Sequence, residues 1–88
     1  MATYYATCHS PDNTDLDRRI QGLGGSGWWY GIDTIILMID QGHLFYTTPP
    51  VGYGKKIVIR THANGRRYLT TEGDGFPPNN ILNLPRCA

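Results

Sequence analysis

Cysteine and histidine are the residues of this chain that could supply nucleophilic chemistry. The chain has two cysteines, Cys8 and Cys87, and three histidines, His9, His43 and His62. A thiol nucleophile needs a base within hydrogen-bond reach. Cys8 and His9 are adjacent, and neighbouring side chains of a strand point to opposite faces, which disfavours a pair between them. Only the fold could bring Cys87 to another histidine, so an enzyme is our third choice and we assign no catalytic residue.

Metal-ligand patterns are equally weak. The three histidines are scattered and lack the spacing of a metal site. Glu72 and Asp74 stand two residues apart in a glycine-rich turn and could hold a hard cation weakly. A simpler interpretation is that Asp74 hydrogen-bonds its own turn. We therefore expect no metal.

The segment Gly22–Gly27 matches the letters of the dinucleotide-binding fingerprint, Gly-x-Gly-x-x-Gly. That fingerprint requires a helix after the glycines, whose N-terminus binds the pyrophosphate. Here the aromatic segment Trp28–Tyr30 follows instead. We interpret the glycines as a flexible connection and expect no cofactor.

Five basic residues cluster in one predicted hairpin, and this is our first candidate for a binding surface. They are Lys55, Lys56, Arg60, Arg66 and Arg67. Residues 1–54 carry two basic and five acidic residues, whereas residues 55–88 carry six basic and two acidic ones. A basic two-stranded ribbon can contact nucleic-acid phosphates. The alternatives are an edge strand whose charges prevent aggregation, or pairing with the acidic half of the chain.

Three consecutive aromatic residues, Trp28, Trp29 and Tyr30, form the second candidate surface. Consecutive side chains point in different directions, so we expect at least one of these rings to be exposed. An exposed ring beside a glycine turn is a plausible platform for a ligand or partner. The alternative is that Trp28 covers the core and Trp29 lies flat on the surface.

Length and composition exclude several classes of protein. A chain of 88 residues forms one domain, 1–88, and its net charge of +1 is not that of a strongly polyanion-seeking protein. The longest apolar run, Ile35 to Ile39, is far shorter than the about 20 residues of a membrane span. We see no secretory signal and expect a cytoplasmic protein. In that compartment Cys8 and Cys87 are expected to be thiols; a disulfide between them would need Cα atoms within about 7 Å.

The elements that position these residues follow from hydrophobic spacing. Ile32, Ile35, Ile36 and Ile39 fall on one face of a helix that we expect over residues 32–42, although a buried strand is the alternative. Strands are expected over residues 3–8, 18–23, 43–48, 55–63 and 66–71. The predicted core is Ile20, Leu23, Trp28, Ile35, Ile36, Ile39, Phe45, Ile57, Ile59, Tyr68, Leu82 and Leu84.

The dipeptide Asn64-Gly65 between two β-rich runs predicts a hairpin with a two-residue type I′ turn. That turn would place Thr61 opposite Tyr68, and directly opposed residues share a face. The core face would then carry Ile57, Ile59, Thr61, Tyr68 and Thr70. The other face would be solvent-exposed and basic, with Lys56, Val58, Arg60, His62, Arg67, Leu69 and Thr71.

A series of short motifs runs along the chain from Ile20 to Cys87. The first part of the pattern comprises Ile20, Gly24-Gly25, Trp28, the helix ending in Gly42, and Phe45-Tyr46. The C-terminal block is its specific part: Tyr68-Leu69-Thr70-Thr71, Asp74-Gly75, Asn79-Asn80-Ile81-Leu82 and Leu84-Pro85-Arg86-Cys87. In this pattern nearly the whole chain resembles a family of small bacterial proteins catalogued as a domain of unknown function. Ile81 stands where leucine is usual, and Trp29 adds a second indole. The resemblance implies one compact bacterial domain and no established activity.

We therefore predict an α+β fold, with an antiparallel sheet of four or five strands and one short helix packed on one face. The expected function is a non-catalytic binding module that uses the basic hairpin, with nucleic acid as the candidate partner, or the aromatic corner. The alternative is a homo-oligomeric structural protein, such as a homodimer. No membrane partner is expected.

Overall fold

The computed structural model describes residues 2–12, 14, 19–48, 55–72, 81 and 84–87. Their secondary structure, in chain order, is β1 (Thr3–Ala6), β2 (Cys8–Pro11), β3 (Ile20–Gly25), β4 (Trp28–Gly31), α1 (Ile32–Asp40), β5 (Leu44–Thr47), β6 (Ile57–Thr61) and β7 (Arg67–Thr71). The predicted α+β class is confirmed. Expectations for Arg18, residues 49–54, the loop over 73–80 and Leu82 lie outside the described residues. Within the described ranges, no helix has the length and apolar character that a membrane crossing requires.

The helix begins and ends close to where the isoleucine spacing predicts. Ile32, Ile35 and Ile36 are buried, which confirms the apolar face and excludes the strand alternative. The N-cap residue is Gly31 without a side-chain cap, while Asp33 lies in the first turn, where its charge suits the helix dipole. After the C-terminus, Gly42 adopts a φ of 101°, the left-handed conformation that glycine accepts without strain.

The strands form three small sheets rather than one sheet of four or five strands. β2, β3 and β4 form an antiparallel sheet, β6 and β7 form a hairpin, and β1 pairs with β5. The β1–β5 pair is parallel, with Tyr4 opposite Phe45, so the predicted antiparallel pairing holds for the other two sheets but not for this one. The chain between these strands, which includes α1, forms the long crossover that a parallel pair needs.

A few backbone contacts connect the sheets. A bridge between Tyr46 and Lys56 joins β5 to β6, and the Thr7 N–H donates to the Gly24 carbonyl at 2.8 Å. The predicted strand over residues 3–8 is therefore two strands, separated at Thr7. Gly24 and Gly25, expected in a turn, are the end of β3.

The hairpin register differs from the prediction by one residue. Thr61 pairs with Arg67 and Arg60 with Tyr68, because the loop has three residues instead of two. The His62 N–H donates to the Arg66 carbonyl at 2.8 Å, and Gly65 alone in this loop has a positive φ. A type I′ turn needs positive φ at both central residues, whereas a three-residue loop needs it at one.

The one-residue shift exchanges the two faces of β7. Leu69 and Thr71 now share a face with Ile57 and Ile59, and Leu69 is fully buried in the core. Tyr68 and Thr70, predicted for the core face, share a face with Arg60 and Val58, although both are also buried.

The core lies between α1 and the sheets. Its buried apolar residues are Ala6, Ile20, Leu23, Ile32, Ile35, Ile36, Phe45, Ile57, Leu69, Ile81 and Leu84. Trp28, Ile39 and Ile59 pack against this cluster and are half-buried. Ala6, Ile32, Leu69 and Ile81 were not predicted.

A disulfide joins Cys8 to Cys87, with the two Cα atoms 4.9 Å apart, so the expectation of two free thiols is wrong. The C-terminal segment reaches β2 through two backbone hydrogen bonds. The His9 N–H donates to the Pro85 carbonyl, and the Cys87 N–H donates to the His9 carbonyl. Residues 85–87 thus pair alongside β2, on the edge of that strand away from β3.

Candidate binding surfaces

The basic residues of the hairpin do not share one surface. Lys55, Lys56, Arg60 and Arg66 are exposed. Arg67 points instead toward the helix, where its Nη2 donates to both carboxylate oxygens of Asp40, at 2.8 and 3.0 Å. This ion pair lowers the pKa of Asp40 and raises that of Arg67, chiefly through the hydrogen bonds between them. The Arg67 side chain is therefore held against the helix, whereas the other four basic side chains are exposed at the surface.

Lys56 directly precedes β6 and Arg60 lies within it, and both are an even number of residues from Val58, so their side chains point to the same side of the hairpin. Glu72 is next to Lys56, because its N–H donates to the Lys56 carbonyl at 2.8 Å. The span 55–71 itself contains no acidic residue. The positive charge of this face is therefore strongest toward the turn, around Arg60.

The two tryptophans lie on opposite faces of the β3–β4 ladder. Trp29 pairs with Gly24, and Trp28 pairs with Gly25. Trp29 is 51% exposed, and its Nε1 donates to Ser10 Oγ at 3.0 Å. The sequence-based prediction of at least one exposed indole is therefore met by Trp29, while Trp28 and Tyr30 are only half-exposed.

Trp29 lies flat across a floor of glycines beside the disulfide. A Cβ on Gly22 would lie 2.6 Å from Trp29 Cζ2. A Cβ on Gly24 would lie 2.8 Å from the sulfur of Cys8 and 3.1 Å from that of Cys87. The glycines predicted to be a flexible connection instead allow a ring and a disulfide to approach the backbone of β3.

Trp28 and Tyr30 join an aromatic cluster centred on Tyr4. The ring centroid of Tyr4 lies 5.3 Å from Trp28, 5.8 Å from Tyr30 and 4.9 Å from Phe45. Trp28 and Tyr30 stack with centroids 5.6 Å apart. Hydrogen bonding with Tyr30 and then burial raise the pKa of the Tyr4 phenol above its usual value.

A groove of about 270 Å³ opens beside this cluster, between β1 and the β3–β4 turn. Six residues line it: Thr3, Tyr4, Tyr5, Thr7, Ser26 and Trp28. Sequence reasoning identified only Trp28 among them. The signal it could have used is the density of hydroxyl and phenol groups over residues 3–7, but nothing in the sequence shows that Ser26 faces that segment.

The candidate catalytic residues do not form a nucleophilic site. Both sulfurs are joined to each other, so neither Cys8 nor Cys87 is a thiol. His43 accepts a hydrogen bond from the Ala2 N–H at its Nδ1, and the His62 ring lies 4.2 Å from the Tyr68 ring. Among the described residues, no three histidine, cysteine or acidic side chains are grouped so as to hold a metal.

His9 is buried beneath the C-terminal segment and is 4% exposed. Its Nδ1 has no hydrogen-bond partner within the described part of the chain. Burial lowers the pKa of His9 below 6.5, and this outweighs hydrogen bonding with the backbone of Leu84 and Pro85, which acts in the opposite direction. Burial keeps this histidine uncharged and sequesters it from ligands, which fits a structural role.

The comparisons with known proteins agree with the resemblance seen in the sequence. Residues 13–85 match a family described as "Protein of unknown function (DUF3892)". No curated protein and no solved structure matches the chain. Since the match spans most of the 88 residues, this chain belongs to the DUF3892 family.

Proposed function

We propose that this domain is a non-catalytic binding module whose hairpin contacts the phosphates of a nucleic acid. The observation that carries the proposal is the exposure of four cations, Lys55, Lys56, Arg60 and Arg66, on a hairpin with no acidic residue between 55 and 71. Exposed Lys and Arg side chains bind phosphates and release counterions, which favours association.

The spacing of the cations suits a polyanion. Lys56 and Arg60 are four residues apart on the same side of the hairpin, which corresponds to about 13 Å along a strand. One strand of a duplex has a phosphate every about 3.4 Å along the axis, so the pair spans about four nucleotides. Arg66 lies at the turn, beyond Arg60.

The test is a titration of the full chain against a labelled duplex and a labelled single strand, each of about 20 nucleotides, followed by fluorescence anisotropy. With three or four phosphate contacts, the logarithm of the binding constant should fall against the logarithm of salt with a slope of about −2 to −4. Absence of binding to both probes at about 50 mM salt would overturn the proposal.

A pair of matched variants locates the surface. Arg60→Gln should weaken binding at every sequence tested and reduce the salt slope by about one. Arg86→Gln removes another exposed cation, near the disulfide and outside the hairpin, and should leave binding unchanged. Equal effects of the two variants would mean that overall charge, not the hairpin, drives association.

Self-association is a second candidate function, favoured by one exposed face. Tyr5 and Tyr46 are opposed in the parallel β1–β5 pair and stack with ring centroids 5.7 Å apart. Leu44 lies on the same face, opposite Thr3, and both Leu44 and Tyr5 are exposed. Sedimentation velocity over a range of concentrations tests this candidate. A dimer that Tyr5→Ser abolishes supports it, and a monomer at all concentrations contradicts it.

A further inference from the structure

We propose that the groove between β1 and the β3–β4 turn binds an uncharged saccharide, at a site separate from the basic hairpin. The groove combines hydroxyl-bearing residues, aromatic rings held in place and an uncharged lining, and together these suit an uncharged sugar better than a charged ligand. Each feature comes from residues that the structure brings together from two distant parts of the chain.

The polar lining matches the polar edge of a sugar. Among the lining residues, Thr3, Thr7 and Ser26 carry aliphatic hydroxyls and Tyr5 carries a phenol. A hydroxyl both donates and accepts hydrogen bonds, as a sugar hydroxyl does. None of the six lining residues is charged, and burial of a ligand's phosphate, carboxylate or ammonium group against them would leave that charge without a counter-ion.

The apolar lining matches the C–H face of a sugar ring. The ring planes of Tyr4 and Trp28 meet at 68°, so the two rings form a corner rather than a flat stack. The negative face of an aromatic ring attracts positively polarised hydrogens, and the C–H groups of a pyranose ring are of that kind.

The corner is held in place from behind. Phe45 is fully buried and stacks on Tyr4, and Tyr30 stacks on Trp28. Two rings fixed by packing before the ligand arrives lose little side-chain entropy on binding. The volume of about 270 Å³ is slightly below the range of about 300–1,000 Å³ for drug-sized ligands, so the groove suits one or two sugar rings.

A glycine makes this geometry possible. A Cβ on Gly25 would lie 2.4 Å from Trp28 Nε1 and 2.5 Å from the Tyr5 carbonyl oxygen. Any side chain at this position would push the Trp28 ring away from β1. The two walls of the groove can approach each other only because residue 25 has no side chain.

The experiment is a ¹H–¹⁵N NMR titration of the full chain with three neutral trisaccharides: maltotriose, cellotriose and tri-N-acetylchitotriose. At least one should cause saturable shifts at the Trp28 indole N–H and the amides of residues 3–7 and 26, with millimolar affinity or better. Three outcomes would overturn the proposal. They are no shift at about 10 mM of any sugar, shifts that lie elsewhere in the protein, or shifts at these residues that adenosine or uridine causes and the sugars do not.

Matched variants test whether the hydroxyls act on the ligand. The double variant Thr3→Val and Thr7→Val keeps the shape and strand preference of both residues and should weaken sugar binding about fivefold per hydroxyl. Thr61→Val makes the same change on the exposed end of β6, outside the groove, and should leave the affinity unchanged. Equal affinities for all three proteins would overturn the assignment.

Two further variants separate the groove from the other surfaces. Trp28→Phe should weaken sugar binding, whereas Trp29→Phe, on the opposite face of the ladder, should not. Arg60→Gln should leave sugar binding intact while it weakens nucleic-acid binding, so the two proposals can fail independently. A loss of sugar binding in Trp29→Phe but not in Trp28→Phe would place the site on the wrong face.

Discussion

Asp40, the last residue of α1, accepts two hydrogen bonds from the Arg67 guanidinium of β7, at 2.8 and 3.0 Å. This ion pair connects the helix to the hairpin across the fold. It also joins the acidic first part of the chain to the basic second part, which is the pairing of the two halves that the sequence left open. Both side chains are partly exposed, so the pair orients Arg67 more than it stabilises the domain.

We expect Asp40→Asn to strengthen nucleic-acid binding. The substitution removes the carboxylate that holds Arg67 and adds one cation to the hairpin surface, so the salt slope should steepen by about one. Arg67→Gln, in contrast, should bind almost as the native protein does, because Arg67 is already engaged. Anisotropy titrations over a range of salt measure both; a loss in Arg67→Gln as large as that in Arg60→Gln would contradict the assignment.

Stability should fall on the acid side of pH 6.5 because of His9. Burial lowers the pKa of this histidine below 6.5, so below that pH the unfolded chain binds a proton that the folded chain does not. The free energy of unfolding should decrease as the pH falls toward the folded-state pKa, by at most about 1.4 kcal/mol per pH unit. Above pH 6.5 the group is neutral in both states and contributes no pH dependence.

Urea unfolding at a series of pH values measures this slope. In His9→Leu the part of the pH slope that His9 causes should disappear. In His62→Gln that part should remain, because His9 is unchanged. The same slope in all three proteins would show that other groups cause the acid sensitivity.

The disulfide between Cys8 and Cys87 closes almost the whole chain, with a sequence separation of 79 residues. In the loop-entropy account, a loop of this length stabilises the folded state by about 4.5 kcal/mol. We expect Cys87→Ser to lower the free energy of unfolding by up to about that amount, measured by urea unfolding with and without reductant. Reductant should have little effect on the Cys87→Ser protein.

Thiol alkylation in denaturant should detect no free thiol in the native chain and two after reduction. Disulfides are typical of oxidising compartments, whereas the sequence led us to predict a cytoplasmic protein. Two alkylated sulfurs in unreduced protein trapped directly from cells would show that the bond is not formed there.

Gly24 should tolerate no side chain. In Gly24→Ala the new methyl would lie 2.8 Å from the Cys8 sulfur and 3.1 Å from that of Cys87, and we expect a loss of about 1–3 kcal/mol from overpacking. Gly31→Ala is the matched control, because among the described residues outside its chain neighbours the nearest atom to its methyl would be the Gln21 carbonyl oxygen, at 3.7 Å.

The control should remain within about 1 kcal/mol of the native protein. Reduced freedom of the unfolded chain in Gly31→Ala offsets the poorer N-cap of α1. Thermal unfolding of the two variants side by side measures the difference. Equal stabilities would mean that the backbone of β3 moves away from the disulfide at little cost.

Local patterns determined much of the fold. The isoleucine spacing over residues 32–39 predicted α1, and the β-rich runs predicted every end of β5, β6 and β7 to within two residues. Gly42, predicted as the end of the helix, has a positive φ just after the C-cap residue Gln41. These features depend on a few neighbouring residues, whose backbone preferences and apolar spacing can be read directly from the chain.

The register of the hairpin depended on whether its loop has two residues or three. Asn64-Gly65 is compatible with both a two-residue and a three-residue loop, and the choice moves every residue of β7 to the opposite face. Burial of Leu69 on the core face accompanies the three-residue loop, a gain that comes from packing with α1 and the shared core rather than from the turn itself. The preferences of the turn residues alone could not determine the length of the loop.

The candidate sites were decided almost entirely by tertiary structure. The sequence identified the basic residues and the tryptophans, but not that Asp40 removes Arg67 from the surface, that Trp28 and Trp29 lie on opposite faces, or that Ser26 meets the strand over residues 3–6. The pairing of Cys8 with Cys87 was likewise decided by tertiary structure. Each of these contacts joins residues that are adjacent only after the chain has packed, because the burial of a shared core, and no local preference, brings them together.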